Sequence, residues 1–523
     1  MPIRMVDDPN DQENNDDGSG GGGGNIGGGG GGGLFNLLPL IIGLLFRKPA
    51  LLIVVLAIGG FVLLKNGCSG MSSMQDVAQL ATGGILDPKE FDKAQVYEGL
   101  DESKNELPEA VSLLKYAPKR LNQGHQGSCV AWSSAYGART ILQAVSTGED
   151  PNQLAFSPAF LYNQIGLSGC QGSYIIRAME NMTQVGAVPF NEFPYDENDC
   201  SRQPDGSLKQ AAQQFRMKGF NRLTDGESTR GLNLHAIKEH LAKDAPVVIG
   251  MMVGGSFMQE MAGKEVWVPN SDDYTMMGFG GHAICVIGYD DRKEGGAFQI
   301  MNSWGSDWGI NGVAWVKYKD FRRFVREAYG LNPLQKTGDA VVDHLSCSIG
   351  LVDANTKAYL PLQLAEGNLF ETTSPIAKGT GFKLEVKNNT DCYVYVLGME
   401  TDGSSYVLFP YPSKDDPTKT KFSPYCGITG YRLFPKGMKL MADSIGNKDY
   451  MAVVMSKEPM NVFELNKAVN QNQSLGFEAA VNKAVKRESI GGIRYNSDGK
   501  IMSFETAVAD KNAVACIIAL IKN

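Results

Sequence analysis

The chain has 523 residues, long enough for two or three domains, and its 57 acidic and 49 basic side chains give a net charge of −8 and a pI near 5.4. That balance, with no basic patch interleaved with aromatics, excludes the nucleic-acid-binding classes. There is no phosphate-cradling glycine loop and no His/Cys/carboxylate cluster at metal-ligand spacing, so neither a cofactor nor a metal is expected.

Residues 1–33 join an acidic stretch (Asp7, Asp8, Asp11, Glu13, Asp16, Asp17) to a glycine run, a composition that offers no core and predicts a disordered tether. Leu34 to Phe46 is apolar, Arg47 and Lys48 interrupt it, and Pro49 to Leu64 is apolar again before Lys65. The second stretch is just short of the roughly 17–25 residues of a membrane span, and snorkelling of Lys48 and Lys65 extends it. Residues 34–64 therefore read as a membrane anchor, the first stretch lying on the surface, re-entering, or forming half of a hairpin. A cleaved signal peptide fits less well because the apolar region starts so far into the chain. Lys65, three residues before Cys68, does not suit a lipid-attachment motif. Arg47 and Lys48 precede the second stretch and only Lys65 follows closely, which predicts a single pass with the N-terminus in the cytoplasm and the bulk of the chain outside. In a bacterium that is the periplasm or cell surface.

Residues 65–104 read as a polar linker with one short helix, Ser73 to Ala81. Residues 122–134 then read Asn-Gln-Gly-His-Gln-Gly-Ser-Cys-Val-Ala-Trp-Ser-Ser. Cys129 opens an alanine-rich apolar stretch, Val130 to Leu142, that reads as a helix. A thiol at a helix N-terminus sits at the positive end of the dipole, which favours the nucleophilic thiolate. Residues 280–291, Gly-Gly-His-Ala-Ile-Cys-Val-Ile-Gly-Tyr-Asp-Asp, place His282 at the head of a β-rich run. Residues 300–312 place Asn302 at the end of another strand, before two Trp-Gly pairs. Acyl transfer needs a nucleophile, a base, an orienter for the base and donors for the oxyanion, and Cys129, His282, Asn302 and Gln123 are those residue types.

In this order the motifs Asn-Gln-Gly-x-x-Gly-Ser-Cys, His-Ala-x-x-x-x-Gly-Tyr and Asn-Ser-Trp-Gly-x-x-Trp-Gly resemble the papain-like cysteine peptidases over residues 105–335. The resemblance implies a two-lobed α+β fold, α-rich over roughly 105–215 and β-rich over roughly 216–335, with extended peptide bound between the lobes. It implies Cys129 as nucleophile, His282 as its imidazolium partner, Asn302 as orienter, Gln123 with the Cys129 N–H as oxyanion donors, and Trp304 shielding the Asn302–His282 bond. Gly172 and Ser173 are expected on the substrate backbone. Tyr174 and Ile175 are expected to line an apolar pocket for the second residue before the cut, with Ala283 on its opposite wall. His125 reads as a loop residue. A Cys170–Cys200 disulfide is implied by the related peptidases and would need an oxidising compartment. The sequence departs from the family at Gln126, where a disulfide cysteine usually stands, and at Val130, where a Trp is usual. The segment Leu107-Pro108-Glu-Ala-Val resembles the start of a mature domain. The chain before it looks too short for a folded propeptide, though part of it could lie in the cleft.

From about 340 the pattern becomes all-β. Strands are expected at Phe382–Val386, Cys392–Leu397, Tyr406–Phe409, Ala452–Met455 and Val514–Leu520, with helices at Asn461–Asn470 and Leu475–Val485. Residues 340–523 read as a β-sandwich with one helical insertion, similar to a bacterial module found appended to peptidases, with Tyr393, Tyr395, Tyr406 and Phe409 in its core or, as the alternative, lining a ligand face. Its four cysteines could make two bridges or none. The reading as a whole is a membrane-anchored cysteine endopeptidase acting on peptide or protein, with an accessory β-domain that could meet an envelope partner. The alternatives are a catalytically weak papain-fold scaffold, or a transpeptidase using the same thioester.

Overall fold

The computed structural model describes residues 3–8, 83–225, 231–338, 343–413 and 416–523. The expected anchor over 34–64, the Ser73–Ala81 helix and Cys68 lie outside the described residues. Within them, no helix is long and apolar enough to cross a membrane.

The first half is built on a sheet ordered Phe220–Arg222, Val325–Leu331, Val247–Val253, Gly280–Asp290, Ala297–Met301, Val313–Lys317 and Val266–Trp267, with Ala110–Ser112 added to Gly280–Asp290. The near-continuous apolar run Ala283–Tyr289 is buried throughout, as a strand covered on both faces must be. Helices form the other lobe. A helical column starts at Cys129–Ala131, passes through the π-helical Trp132–Arg139 and ends with Thr140–Thr147, where Gly148 in the left-handed conformation stops it. Pro158–Ile165 is capped by the Ser157 hydroxyl on the Phe160 N–H, and Ile175–Gln184 packs beside it. This is the expected α+β arrangement.

The second half is a sandwich. One sheet is ordered Ile3–Asp7, Met438–Ala442, Gly381–Asn388, His344–Asp353, Met502–Ala507 and Tyr495–Ser497. The other is ordered Leu362–Glu366, Leu369–Thr372, Ala513–Ile521, Lys448–Ser456, Cys392–Met399 and Ser405–Phe409. Period-two alternation explains the apolar strands. In Cys392–Met399, Val394 and Val396 face the inter-sheet core. Tyr395 and Leu397 face a third layer, helices Val462–Asn470 and Phe477–Ala484. Tyr395 and Phe409 are buried, and Tyr393 and Tyr406 are half-buried. The four cysteines of this region (Cys347, Cys392, Cys426, Cys516) are buried and make no bridge among the described residues.

Two expectations need correction. The first residues of the supposedly disordered tail form a strand. Ile3–Asp7 pairs antiparallel with Met438–Ala442, Ile3 is buried in the sandwich core, and the Asp8 carboxylate lies 3.6 Å from the buried Lys383 ammonium. Composition hid this because an edge strand needs only alternating apolar residues, here Ile3 and Met5, and a partner edge. The second correction concerns the linker, which is ordered from Gly83 onward.

Candidate active site

Cys129 sits at the head of the helical column, behind Ser128, and is fully buried. His282 and Ala283 open the strand facing it, and the Ala283 N–H lies 3.4 Å from Cys129 Sγ. His282 Nε2 is 2.8 Å from Asn302 Oδ1, while Nδ1 has no partner among the described residues. The Trp304 ring stacks on the His282 ring at 4.4 Å between centroids, and Phe257 and Trp308 back it. Gln123 is buried; its amide donates to the Gln126 carbonyl at 3.0 Å and accepts from Ser303 Oγ at 2.6 Å. The tertiary structure thus brings Cys129, His282, Asn302, Gln123 and Trp304 together.

The loop lacking the family's upstream cysteine is held by Gln126 instead, whose amide donates to the Asp196 and Glu197 carbonyls at 3.2 and 3.3 Å. The N–H of the exposed His125 donates to the Glu197 carboxylate at 2.8 Å. Cys170 and Cys200 are joined by a disulfide.

The cleft is filled by the chain's own residues Gly83–Leu86. Ser173 N–H donates to the Gly83 carbonyl at 3.0 Å, Ile85 N–H to the Ser173 carbonyl at 3.1 Å, and Gly84 N–H to the Gly281 carbonyl at 3.1 Å. A side chain on Gly83 would come within 2.7 Å of Cys129 Sγ and 2.8 Å of the Gly127 carbonyl, so only glycine passes there. Of the expected backbone contacts, Ser173 makes its pair and Gly172 does not. The Gly172 N–H goes to Tyr162 Oη, and its carbonyl accepts from the Leu167 N–H. Ile175 is buried in the core, and Tyr174 is half-buried under the Arg177 guanidinium.

Burial pushes the Cys129 thiol up to about 12 and the His282 imidazole down to about 4, which favours the neutral form of each, against the thiolate expected at a helix N-terminus. The helix terminus does not outweigh the loss of water.

Beneath Leu86 the floor departs from the apolar pocket expected. Ala283, Gly250 and Glu327 are register partners across three adjacent strands and share one face. A side chain on Gly250 would collide with Leu86 and come within 2.9 Å of Glu327 Oε1. Glu327 is buried; Oε2 accepts from Tyr329 Oη at 3.0 Å and Oε1 has no partner among the described residues. Burial pushes this carboxyl up to about 8. Neither Glu327 nor the Gly83–Leu86 cover stands in a motif, so sequence pattern alone could not find them.

A two-lobed fold with a Cys, a His, an Asn and a Gln converging between the lobes defines a thiol-peptidase class of protein. Residues 112–328 match the model of the papain family of cysteine proteases, and this part of the chain is a papain-type cysteine peptidase domain. Among curated relatives, the chain is 27% identical over 221 residues to an uncharacterized peptidase C1-like protein of Acanthamoeba polyphaga mimivirus, covering 41% of this chain and 66% of that protein. It is 27% identical over 264 residues to cathepsin K of Mus musculus, covering 50% of this chain and 74% of that protein. Among solved structures, it is similar to xylellain, a cysteine protease from Xylella fastidiosa, at 22% identity and a TM-score of 0.41, covering 49% of this chain and 97% of the other. It is also similar to digestive procathepsin L 3 of Tenebrio molitor, at 18% identity and a TM-score of 0.38, covering 49% of this chain and 78% of the other.

Proposed function

We propose that the chain is a cysteine endopeptidase kept closed by its own residues 83–86. The observation that carries this reading is the convergence of Cys129, His282–Asn302 and Gln123 on one point that Gly83 covers. Once the cover leaves, water re-enters and the burial that keeps both groups neutral is relieved. His282 Nδ1, unpartnered in the closed form, takes the Cys129 proton. The thiolate attacks the substrate carbonyl, and Gln123 Nε2 and the Cys129 N–H donate to the oxyanion. His282 protonates the leaving amine, and a water activated by His282 releases the thioester. The test is labelling of the full chain with a peptidyl epoxide and location of the modified cysteine. A Gly83→Leu variant, whose side chain the closed cleft cannot hold, supplies an opened form. Labelling confined to Cys129 and faster in Gly83→Leu is expected; a folded, open Gly83→Leu protein without labelled Cys129 would sink the reading.

We propose that the Leu86 site receives the second substrate residue before the cut, and that Glu327 lets it take a basic as well as an apolar side chain. Glu327 Oε1 is buried and unpaired, which costs free energy that an incoming guanidinium or ammonium recovers. With an apolar occupant the carboxyl stays protonated. A raised carboxyl pKa means that apolar occupancy is favoured at low pH and weakens as pH rises from the ordinary carboxylate range through about 8. Preference for arginine over leucine is therefore expected to climb with pH in the opened enzyme. Glu327→Gln is expected to flatten that pH dependence and lower kcat/KM for the arginine substrate by at least about tenfold, with the leucine substrate little changed. Equal losses on both substrates would argue against the assignment.

We further propose membrane attachment through the apolar residues 34–64, supported by their sequence alone. A single crossing there would part Ile3–Asp7 from Met438–Ala442, its neighbour in one sheet. The chain on either side of 34–64 therefore ends on the same face of the membrane. Tags before Ile3 and after Asn523 are expected to show the same accessibility to an impermeant protease in intact cells; opposite accessibility would restore the single crossing.

A further inference from the structure

We infer that the C-terminal β-sandwich is the lock of the peptidase cleft: it grips residues Val96–Asn105 and through them seats Gly83–Leu86 over Cys129. This rests on the reading of Cys129 as the nucleophile.

The covering segment holds itself weakly. It makes three backbone hydrogen bonds to the cleft and half-buries one leucine, against the backbone entropy of four ordered residues, terms of similar size. Its seating depends on the anchorage of residues 87–105, the stretch on its C-terminal side. Asp87 caps the short helix Pro88–Phe91. Arg222 of the peptidase half then clasps the turn, with Nη1 donating to the Phe91 carbonyl at 3.1 Å and Nη2 to Asp92 at 2.7 Å.

From Val96 onward the grip passes to the sandwich. Val96 N–H donates to the Lys421 carbonyl and Ser423 N–H to the Val96 carbonyl, both at 2.9 Å, while Tyr97 N–H donates to the Arg222 carbonyl at 2.9 Å. One extended stretch is thus hydrogen-bonded to both halves of the molecule. The Glu98 carboxyl accepts from Tyr411 Oη at 3.0 Å and from the Lys436 N–H at 3.1 Å. Asp101 N–H donates to the Tyr431 carbonyl at 2.8 Å, and Asn105 exchanges bonds with the Tyr431 backbone at 2.9 and 3.0 Å. Lys104 pairs with Glu385 and donates to Tyr359 Oη at 2.7 Å. A segment anchored at this density from Val96, ten residues after Leu86, presents the cover at high effective concentration, so loosening the anchor opens the cleft without touching it.

The test uses the full chain with two opposed variants. Lys104→Ala/Asn105→Ala removes side-chain contacts to the sandwich at a partly exposed place. Gln95→Cys/Thr420→Cys, whose native amide and hydroxyl are 2.6 Å apart, staples the segment to the sandwich. Hydrogen exchange at residues 83–86 and the rate of peptidyl-epoxide labelling of Cys129 are read together. The double alanine variant is expected to raise both at least tenfold. The staple in that background is expected to return both toward wild type, and reductant to undo this, with wild type under the same reductant as control. Unchanged exchange and labelling in the alanine variant, or a formed staple that changes neither, would overturn the lock. If Gly83→Leu exposes the cleft by exchange and Cys129 still fails to label, the nucleophile reading fails, while exchange alone still judges the lock.

Discussion

In the Gly83→Leu background, Cys129→Ala is expected to lower kcat for a peptide substrate by at least about 10⁴-fold, and His282→Ala by a similar factor, with the double variant little worse than either. Non-additivity follows from the geometry. In the proposed mechanism Cys129 supplies the electron pair and His282, held through Nε2 by Asn302 and stacked under Trp304, takes the thiol proton. Either alone leaves no ionised pair, so the second loss removes little more. In the closed form the two groups are equally inert, for a different reason: burial favours neutral thiol and neutral imidazole. Wild type is accordingly expected to label far more slowly than Gly83→Leu, although both have every catalytic atom. The check is steady-state kinetics on the four proteins together with epoxide labelling. Losses that add in full would mean that Cys129 and His282 do not act as one unit.

Gln123→Glu should cost about 100- to 1,000-fold in kcat with KM little moved. The substitution keeps size and hydrogen-bond acceptance from Ser303 Oγ, but removes the N–H₂ that donates to the Gln126 carbonyl and would donate to the oxyanion. It also places a carboxylate where negative charge develops. A purely structural role would show as a fall in thermal stability with kcat retained, so thermal melting is recorded beside the kinetics. A kcat within a few-fold of the Gly83→Leu parent would remove Gln123 from the oxyanion site.

The site was legible in sequence to the extent that its chemistry is written in local motifs. Gln123 and Cys129 share one loop and helix start, His282 lies near the start of a strand and Asn302 directly follows one, and each has neighbours constrained by the same local geometry. The sandwich strands Gly381–Asn388, which alternates, and Cys392–Met399 and Lys448–Ser456, which carry short continuous apolar runs, were legible for a similar reason. Met438–Ala442 was not, because it is short and its partners are distant in sequence; His344–Asp353 alternates over ten residues, with Leu345, Cys347, Ile349 and Leu351 in the core, and pattern reasoning could have found it.

What the sequence by itself determined is therefore the peptidase class, the motifs that carry Gln123, Cys129, His282 and Asn302, and the presence of a β-rich second half. These are properties of side-chain type and short-range periodicity. Only the tertiary structure decided the rest. It placed a carboxyl, Glu327, under Leu86 because three strands put Ala283, Gly250 and Glu327 in register. It made an edge strand of Ile3–Asp7 more than 400 residues from its partner. It also turned a polar stretch into a clamp, because Val96 pairs with Arg222 and Phe422 at once. Each is a long-range pairing whose free energy depends on what lies opposite, and nothing in the local sequence encodes that.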